Sequence, residues 1–191
     1  MYWDGTDIAA LDPSSLHGHV AVVTQQPTRW PLTARANILI GRHDRHDPDG
    51  TALRAAARDA DCDTLLDTLP AGYDTVLTKS LKDGHDLSGG QWQRLSLARG
   101  HYRDAALTIF DEPTSALDPH AEAKILTDLA RLRDPGRTVI LITHRLAAAR
   151  HCDRVLLLHD GELVEEGTHD ELLHSGGRYA AMYELQSSAY A

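Results

Sequence analysis

The chain has 191 residues, of which 42% are hydrophobic, and this is enough to form the packed core of one domain or most of one. The formal net charge is −9, so we expect no basic surface for nucleic acid or anionic lipid. No apolar run is long enough to cross a bilayer, and the first residues lack the pattern of a secretory signal. Cys62 and Cys152 occur in no ligand or disulfide spacing, which favours free thiols in a reducing compartment.

The first part of the chain alternates short β-rich runs with polar turns. Residues 2–8 contain Asp4-Gly5 and predict a strand, a tight turn and a second strand. Residues 12–16 predict a polar turn or the start of a short helix. Residues 20–24 predict a strand that ends at Gln25-Gln26-Pro27, and a loop is the plain interpretation of that ending.

Two helices are expected next, over residues 35–40 and 51–69. The second has an apolar face, because Leu53, Ala57 and Leu65 recur at helical spacing within it. The charged segment 42–50 lies between the two helices. Its histidines have no third ligand at a suitable spacing, so a solvated loop is favoured over a metal site.

The stretch from Leu87 to Asp118 is the most informative part of the chain. It begins with LSGGQWQR, in which Ser88 and Gln91 match a capping box, so a helix starts there and its first N–H groups form an anion site. The apolar run 105–110 then predicts a buried parallel strand. Asp111 and Glu112 follow it and point in opposite directions, so one can face a metal ion and the other a water molecule.

The remaining elements follow from caps and turns. Asp118-Pro119 predicts the start of a helix that runs to about residue 133. A second apolar strand is expected at 138–142, followed directly by Thr143-His144. A hairpin with a D-G turn is expected over 154–166, and Thr168 with Glu171 forms a second capping box that opens a helix through residue 174.

Four motifs in this order closely resemble the nucleotide-binding domain of ABC transporters, and of exporters in particular. LSGGQWQR resembles the signature motif, the strand with DEPTSALD resembles Walker B and the D-loop, and ITHR at 142–145 resembles the H-loop. The resemblance extends from Tyr2 to Gln186. It implies an α/β fold, a P-loop NTPase-like cassette with a parallel core sheet and a helical subdomain.

The family's phosphate-binding motif, G-x-x-x-x-G-K-[ST], does not occur in the 191 residues. The family places this motif upstream of Met1, so we expect a cassette that is truncated at its N-terminus. The resemblance divides the chain into the core start and Q-loop (1–28), the helical subdomain and signature helix (29–103), and the part from Walker B to the C-terminal end (104–191). The second part would carry the surface that docks onto a transmembrane domain.

The resemblance implies ATP and Mg²⁺ as cofactors and ATP hydrolysis coupled to export as the reaction. Asp111 and Gln25 would hold the metal, Glu112 would be the general base, and His144 would contact the γ-phosphate. The resemblance also implies that seven residues bind nucleotide: Gln25, Ser88, Gly89, Gly90, Gln91, Ser115 and Asp118. Some of them would do so across a dimer interface. Two features depart from the family: Gln26 replaces a common acidic residue, and residues 81–86 keep the exporter contact-loop pattern only in part.

The expected partners are the transmembrane domain of an ABC exporter and a second nucleotide-binding domain, identical or different, with no nucleic acid. The expected location is the cytoplasmic face of the cell membrane. Without a phosphate loop, we expect the chain alone to be inactive and to expose apolar surface at its core sheet. One alternative is a non-hydrolytic module that lends its signature to a complete cassette. Another is a soluble ABC protein of repair or translation, which the exporter-like C-terminal end disfavours.

Overall fold

The computed structural model describes residues 1–81, 84–114 and 136–189, and it divides the chain into two compact units, Met1–Ile142 and Thr143–Ala191. The described helices and strands of the first unit are, in chain order, β1 (Tyr2–Trp3), β2 (Thr6–Asp7), α1 (Pro13–Gly18), β3 (Val20–Val23), α2 (Ala34–Leu39), α3 (Thr51–Asp59), α4 (Asp63–Asp67), α5 (Gly89–Arg103), β4 (Leu107–Asp111) and β5 (Thr138–Ile142). Those of the second unit are β6 (Val155–His159), β7 (Glu162–Gly167), α6 (His169–His174) and α7 (Arg178–Ala189). Short 3₁₀ helices occur at Ile8–Ala10, Gly72–Asp74 and Leu146–His151.

The centre of the first unit is a parallel sheet with strand order β3-β4-β5. Val20 pairs with Leu107, and Leu107 pairs with Thr138, so the three strands run in register. Their apolar sequences suit a parallel sheet, in which both faces are normally covered. The expected α/β architecture with a parallel sheet is confirmed.

One face of this sheet lies beneath α5, and glycines allow a close approach. Phe110 on β4 is fully buried, and a Cβ atom at Gly100 would lie 2.5 Å from Cγ2 of Val23. At the end of α2, a Cβ atom at Gly41 would lie 2.3 Å from the backbone oxygen of Arg99. Gly100 within α5 and Gly41 in the turn after α2 therefore both require a residue without a side chain.

The opposite face of the sheet is open. Val22, Ile140 and Ile142 lie on it with 58%, 43% and 51% of their surfaces exposed. Both faces of a parallel sheet are normally covered, so three exposed large apolar residues on one face are unusual. Among the described residues, the expectation that the core sheet exposes apolar surface is confirmed.

The C-terminal end of α5 is fixed by Arg103. Its guanidinium group donates to the carbonyl oxygens of Val20 at 2.6 Å, Gly41 at 2.8 Å and His17 at 2.5 Å. These carbonyls belong to β3 and to the ends of α2 and α1. One side chain therefore fixes the end of α5 against three separate segments.

The region 51–69 is not the single helix that its periodicity predicts. It forms α3 and α4, which are separated by Asp61 in a left-handed conformation with φ +53°. The guanidinium of Arg94 donates to the backbone oxygen of Asp61 at 3.3 Å and pairs with its carboxylate at 3.3 Å. A tertiary contact from α5 thus stabilises the break, which local periodicity cannot reveal.

The second unit has the predicted hairpin and helix. β6 and β7 are joined by a turn in which Asp160 and Gly161 have φ of +51° and +82°. The capping box of Thr168 and Glu171 is present at the start of α6. The core of the second unit contains Leu146, Leu157, Leu172 and Tyr179. Among the described residues of the chain, no helix combines the length and apolar composition needed to cross a membrane.

Candidate functional site

The signature segment forms the start of α5 as its sequence predicts. The N–H of Gln91 donates to Oγ of Ser88 at 3.3 Å, and the N–H of Ser88 donates to Oε1 of Gln91 at 2.8 Å. This reciprocal capping box fixes the first turn. The N–H groups of Gly89 and Gly90 have no acceptor within the helix, so they can bind an anion there.

The residues before the signature hold this helix start in place, and sequence reasoning missed one of them. Oδ1 of Asp86 accepts the indole N–H of the buried Trp92 at 3.1 Å and the backbone N–H of Leu87 at 2.9 Å. The hydrogen bond from Trp92 holds the pKa of the Asp86 carboxyl below its usual range. Leu87 and Trp92 are both buried and occupy the N′ and N4 positions of a hydrophobic staple, a sequence signal that could have revealed this arrangement.

The predicted metal ligands follow neighbouring parallel strands at the same edge of the sheet. Gln25 lies two residues after the end of β3, and Asp111 is the last residue of β4, whose Phe110 pairs with Val23. Gln25 is exposed and Asp111 is half-buried. The carboxyl edge of a parallel sheet is where ligands bind in open α/β folds. An amide oxygen and a carboxylate at this edge fit the oxygen ligands that Mg²⁺ requires.

Glu112, the predicted general base, has an unusual backbone. Its φ is +47°, a left-handed conformation that glutamate rarely adopts. Its N–H donates to the carbonyl oxygen of Ile142 at 2.9 Å, which extends the β4-β5 ladder by one residue. Backbone strain of this kind is concentrated at functional sites.

The signature does not lie at the sheet edge of its own chain. Arg103, at the end of α5, binds the carbonyl of Val20 at the start of β3, while Gly100 lies against Val23 at the end of β3. The helix therefore runs opposite to the strand. Ser88 lies twelve residues before Gly100, so the signature projects roughly 18 Å beyond that contact, at 1.5 Å per residue.

A buried polar network joins the signature helix to the segment that follows the Q-loop. The guanidinium of Arg99 donates to the backbone oxygen of Asn37 at 2.9 Å, to its Oδ1 at 3.1 Å and to the carbonyl of Thr28 at 3.3 Å. Nδ2 of Asn37 in turn donates to the carbonyls of Trp30 and Thr33 at 3.0 and 3.1 Å. Burial lowers the pKa of Arg99 below its usual value. Asn37 is fully buried, so the network is a structural tie between α5, α2 and the loop.

His144, the predicted H-loop histidine, belongs to the second unit and is exposed. Its backbone is held by side chains of that unit. Nε2 of Gln186 donates to the carbonyl oxygen of His144 at 2.6 Å, and the N–H of Leu146 donates to Oε1 of Gln186 at 2.9 Å. The N–H of Arg145 donates to Oγ1 of Thr143 at 3.0 Å.

Two predicted nucleotide-binding residues, Ser115 and Asp118, lie outside the described residues, as does the predicted helix after Asp118. Of the two cysteines, Cys62 is buried and Cys152 is half-buried, and neither is in a disulfide bond. Burial raises the pKa of the Cys62 thiol to about 12, so this thiol is a structural group rather than a reactive one.

Known proteins place these features in a family. The family that matches is described as ABC transporter, and the match covers residues 1–115. The chain is 43% identical over 183 residues to the ATP-dependent lipid A-core flippase of Chromohalobacter salexigens, covering 96% of the chain and 30% of the flippase. It is also 43% identical over 186 residues to the mycobactin import ATP-binding/permease protein IrtB of Mycolicibacterium thermoresistibile, covering 97% of the chain and 31% of IrtB. The chain therefore belongs to the ABC transporter family.

A solved structure agrees with this assignment. The chain is similar to a bacterial Atm1-family ABC exporter with ATP bound, with a TM-score of 0.84 and 36% identity. The similarity covers 96% of this chain and 31% of the exporter. The fold is thus that of an ABC cassette, and the chain spans about 30% of the length of the relatives it matches.

Proposed function

We propose that this chain is the C-terminal part of the ATP-binding cassette of an exporter, which couples ATP binding and hydrolysis to transport through a transmembrane domain. The main support is the placement of its two half-sites. Gln25, Asp111 and Glu112 lie at strand ends along one sheet edge, while the signature projects roughly 18 Å along α5 beyond the contact of Gly100 with Val23. A signature so far from the carboxylates of its own chain serves a nucleotide held by a second cassette.

In this proposal each residue has one role in phosphoryl transfer to water. Asp111 and Gln25 hold Mg²⁺, which neutralises phosphate charge when bound. Glu112 accepts the proton of the attacking water, and His144 contacts the γ-phosphate. Ser88, Gly90 and Gln91 bind the γ-phosphate of the nucleotide on the partner cassette, with the free N–H groups of the first turn aimed at its negative charge. Ser115 and Asp118 serve the same dimer interface.

The missing phosphate loop makes the 191-residue chain inactive by itself. Such a loop makes several charged hydrogen bonds to the triphosphate, each worth about 1.5–3 kcal/mol. Losing four of them costs roughly 6 kcal/mol or more, which is about four powers of ten in affinity. The chain alone therefore neither binds ATP tightly nor hydrolyses it.

A second candidate function is a non-hydrolytic module that lends its signature to a complete cassette. The observation in its favour is that Asp86, Arg99 and Arg103 hold the signature helix in place within this chain. Under this function Glu112 and Asp111 have no catalytic duty.

A complementation experiment tests the role of the signature, which both functions share. The chain is mixed with a complete ABC cassette whose own signature serine is replaced by arginine, and ATP turnover is measured. We expect the wild-type chain to restore turnover and Ser88→Arg to abolish this effect. Thr168→Ala, which removes a comparable helix cap in the second unit, is the matched control and should leave turnover unchanged.

The two functions differ in whether Glu112 of this chain takes part in ATP hydrolysis. To test it, the experiment is repeated with a phosphate-loop segment of the family supplied to the chain. Glu112→Gln should then lower turnover at the site that the chain itself forms. Failure of the wild-type chain to restore any turnover would contradict the role of its signature. Turnover that is independent of Glu112 would favour the non-hydrolytic module.

A further inference from the structure

Gln186 lies near the C-terminal end of α7 and has contacts that only a carboxamide can make. Its Nε2 donates to the carbonyl oxygen of His144 at 2.6 Å, and its Oε1 accepts the N–H of Leu146 at 2.9 Å. The two bonds hold the backbone on both sides of Arg145. A glutamate would keep the acceptor but repel the carbonyl, and a methionine would keep the shape but neither bond.

The helix that carries Gln186 is itself firmly placed within the second unit. At its start, the carboxylate of Glu165 accepts the N–H groups of Arg178 at 2.5 Å and Tyr179 at 3.1 Å. Tyr179 is fully buried, and its hydroxyl lies 2.7 Å from Nδ1 of His169. A side chain at the far end of α7 therefore projects from a fixed support.

The segment that Gln186 holds is a short turn. His144 is exposed, and it follows directly on Thr143, whose Oγ1 accepts the N–H of Arg145 at 3.0 Å. Leu146 is buried in the core of the unit. The bonds from Gln186 thus connect the buried Leu146 to the exposed His144 and fix the direction from which the imidazole leaves the backbone.

We propose that Gln186 is a positioning residue for His144: its carboxamide fixes the backbone of the histidine that the proposed function assigns to the γ-phosphate. The inference rests on the proposed function for the catalytic role of His144. It does not require Gln186 to touch the nucleotide. Loss of the carboxamide should therefore lower the turnover number and leave the affinity for ATP largely unchanged.

The contact itself is tested first, by amide hydrogen exchange in the 191-residue chain. In Gln186→Met we expect the Leu146 N–H to exchange about 10-fold faster, because it loses its acceptor. The N–H groups of Leu172 and Tyr179 report whether the unit stays folded and should keep their rates. Gln186→Glu retains the acceptor, so it should protect the Leu146 N–H and keeps the test decisive where the methionine variant unfolds.

The catalytic meaning is tested by ATP turnover in the reconstituted pair that carries a phosphate loop. Gln186→Met and Gln186→Glu should both lower kcat about 10-fold with KM for ATP within about two-fold. Leu185→Ala, at the neighbouring residue that is 72% exposed, is the matched control and should change neither constant.

The possible results lead to separate conclusions. Unchanged exchange at Leu146 in Gln186→Met would contradict the contact, and faster exchange with an unchanged kcat would reduce Gln186 to a structural residue. Either result overturns the inference. If the wild-type pair shows no turnover while the Leu146 N–H loses protection in Gln186→Met, the fault lies with the proposed function and the contact stands.

Discussion

Replacing Arg99 by methionine tests the tie between the signature helix and the segment after the Q-loop. The substitution keeps the length of the aliphatic chain and removes the guanidinium. It thereby removes three hydrogen bonds, to the backbone oxygen and Oδ1 of Asn37 and to the carbonyl of Thr28. Asn37 is fully buried, so its Oδ1 has little access to water after the change.

The magnitude follows from the number and kind of these bonds. A hydrogen bond to a charged group contributes about 1.5–3 kcal/mol, so three give an upper bound of roughly 4.5–9 kcal/mol. The net loss is smaller, because the half-buried guanidinium is partly desolvated in the native state and the Thr28 carbonyl can regain water. We expect Arg99→Met to lower the free energy of unfolding by about 3 kcal/mol.

Urea unfolding followed by tryptophan fluorescence measures this loss. The matched control is Arg58→Met, which removes the same group from an exposed position in the last turn of α3 and should cost under about 1 kcal/mol. Arg99→Lys should recover only part of the loss, since an ammonium group cannot reach three acceptors in this geometry. Equal losses in Arg99→Met and Arg58→Met would refute the reasoning.

Three further predictions concern close packing, backbone strain and charge. Gly41→Ala should lower the free energy of unfolding in a urea titration by about 1–3 kcal/mol, because the new Cβ would lie 2.3 Å from a backbone oxygen. The control is Gly18→Ala, whose Cβ meets nothing within 4 Å. This variant should be neutral or slightly stabilising in the same titration. Glu112→Asn should have a higher thermal midpoint than Glu112→Gln, because asparagine tolerates the positive φ of this residue better. The difference in backbone strain is about 1 kcal/mol. Equal midpoints would contradict the strain. A hydrogen bond from Arg137 holds the pKa of the Asp104 carboxyl below its usual value. The ionised carboxylate therefore stabilises the fold above about pH 4. This stabilisation is lost as the pH falls through the lowered pKa. Asp104→Asn should therefore cost at most about 1 kcal/mol at pH 7, since both groups are partly exposed, and the cost should shrink as the pH falls through the lowered pKa; a cost that does not change with pH would contradict the ion pair.

Local signals in the sequence predicted the elements that carry the candidate site. The capping box at Ser88 and Gln91, the apolar strand before Asp111 and the strand before Thr143 are all present. They could be predicted because a cap depends on residues three apart, and a buried strand depends on an apolar run of four to six residues. The parallel order of the strands also places Gln25 beside Asp111 at one edge.

Tertiary contacts explain what sequence reasoning missed. The break at Asp61 depends on Arg94, which lies 33 residues further along the chain. The bond from Gln186 to His144 spans 42 residues, and the bond from Arg99 to Asn37 spans 62. No periodicity or short motif reports such contacts, because the partners become neighbours only after the fold forms. The roles assigned to all the candidate site residues stay predictions, and Ser115 and Asp118 lie outside the described residues.

The central claim, that the chain alone lacks a working nucleotide site and its signature acts on a second cassette, has a direct measurement. Mg-ATP is titrated into the purified chain, with and without a complete cassette, while tryptophan fluorescence is followed; the buried Trp92 lies in the signature helix. We expect no response from the chain alone at micromolar ATP and a saturable response with the partner that Ser88→Arg removes. Saturation at micromolar ATP by the chain alone would contradict the account.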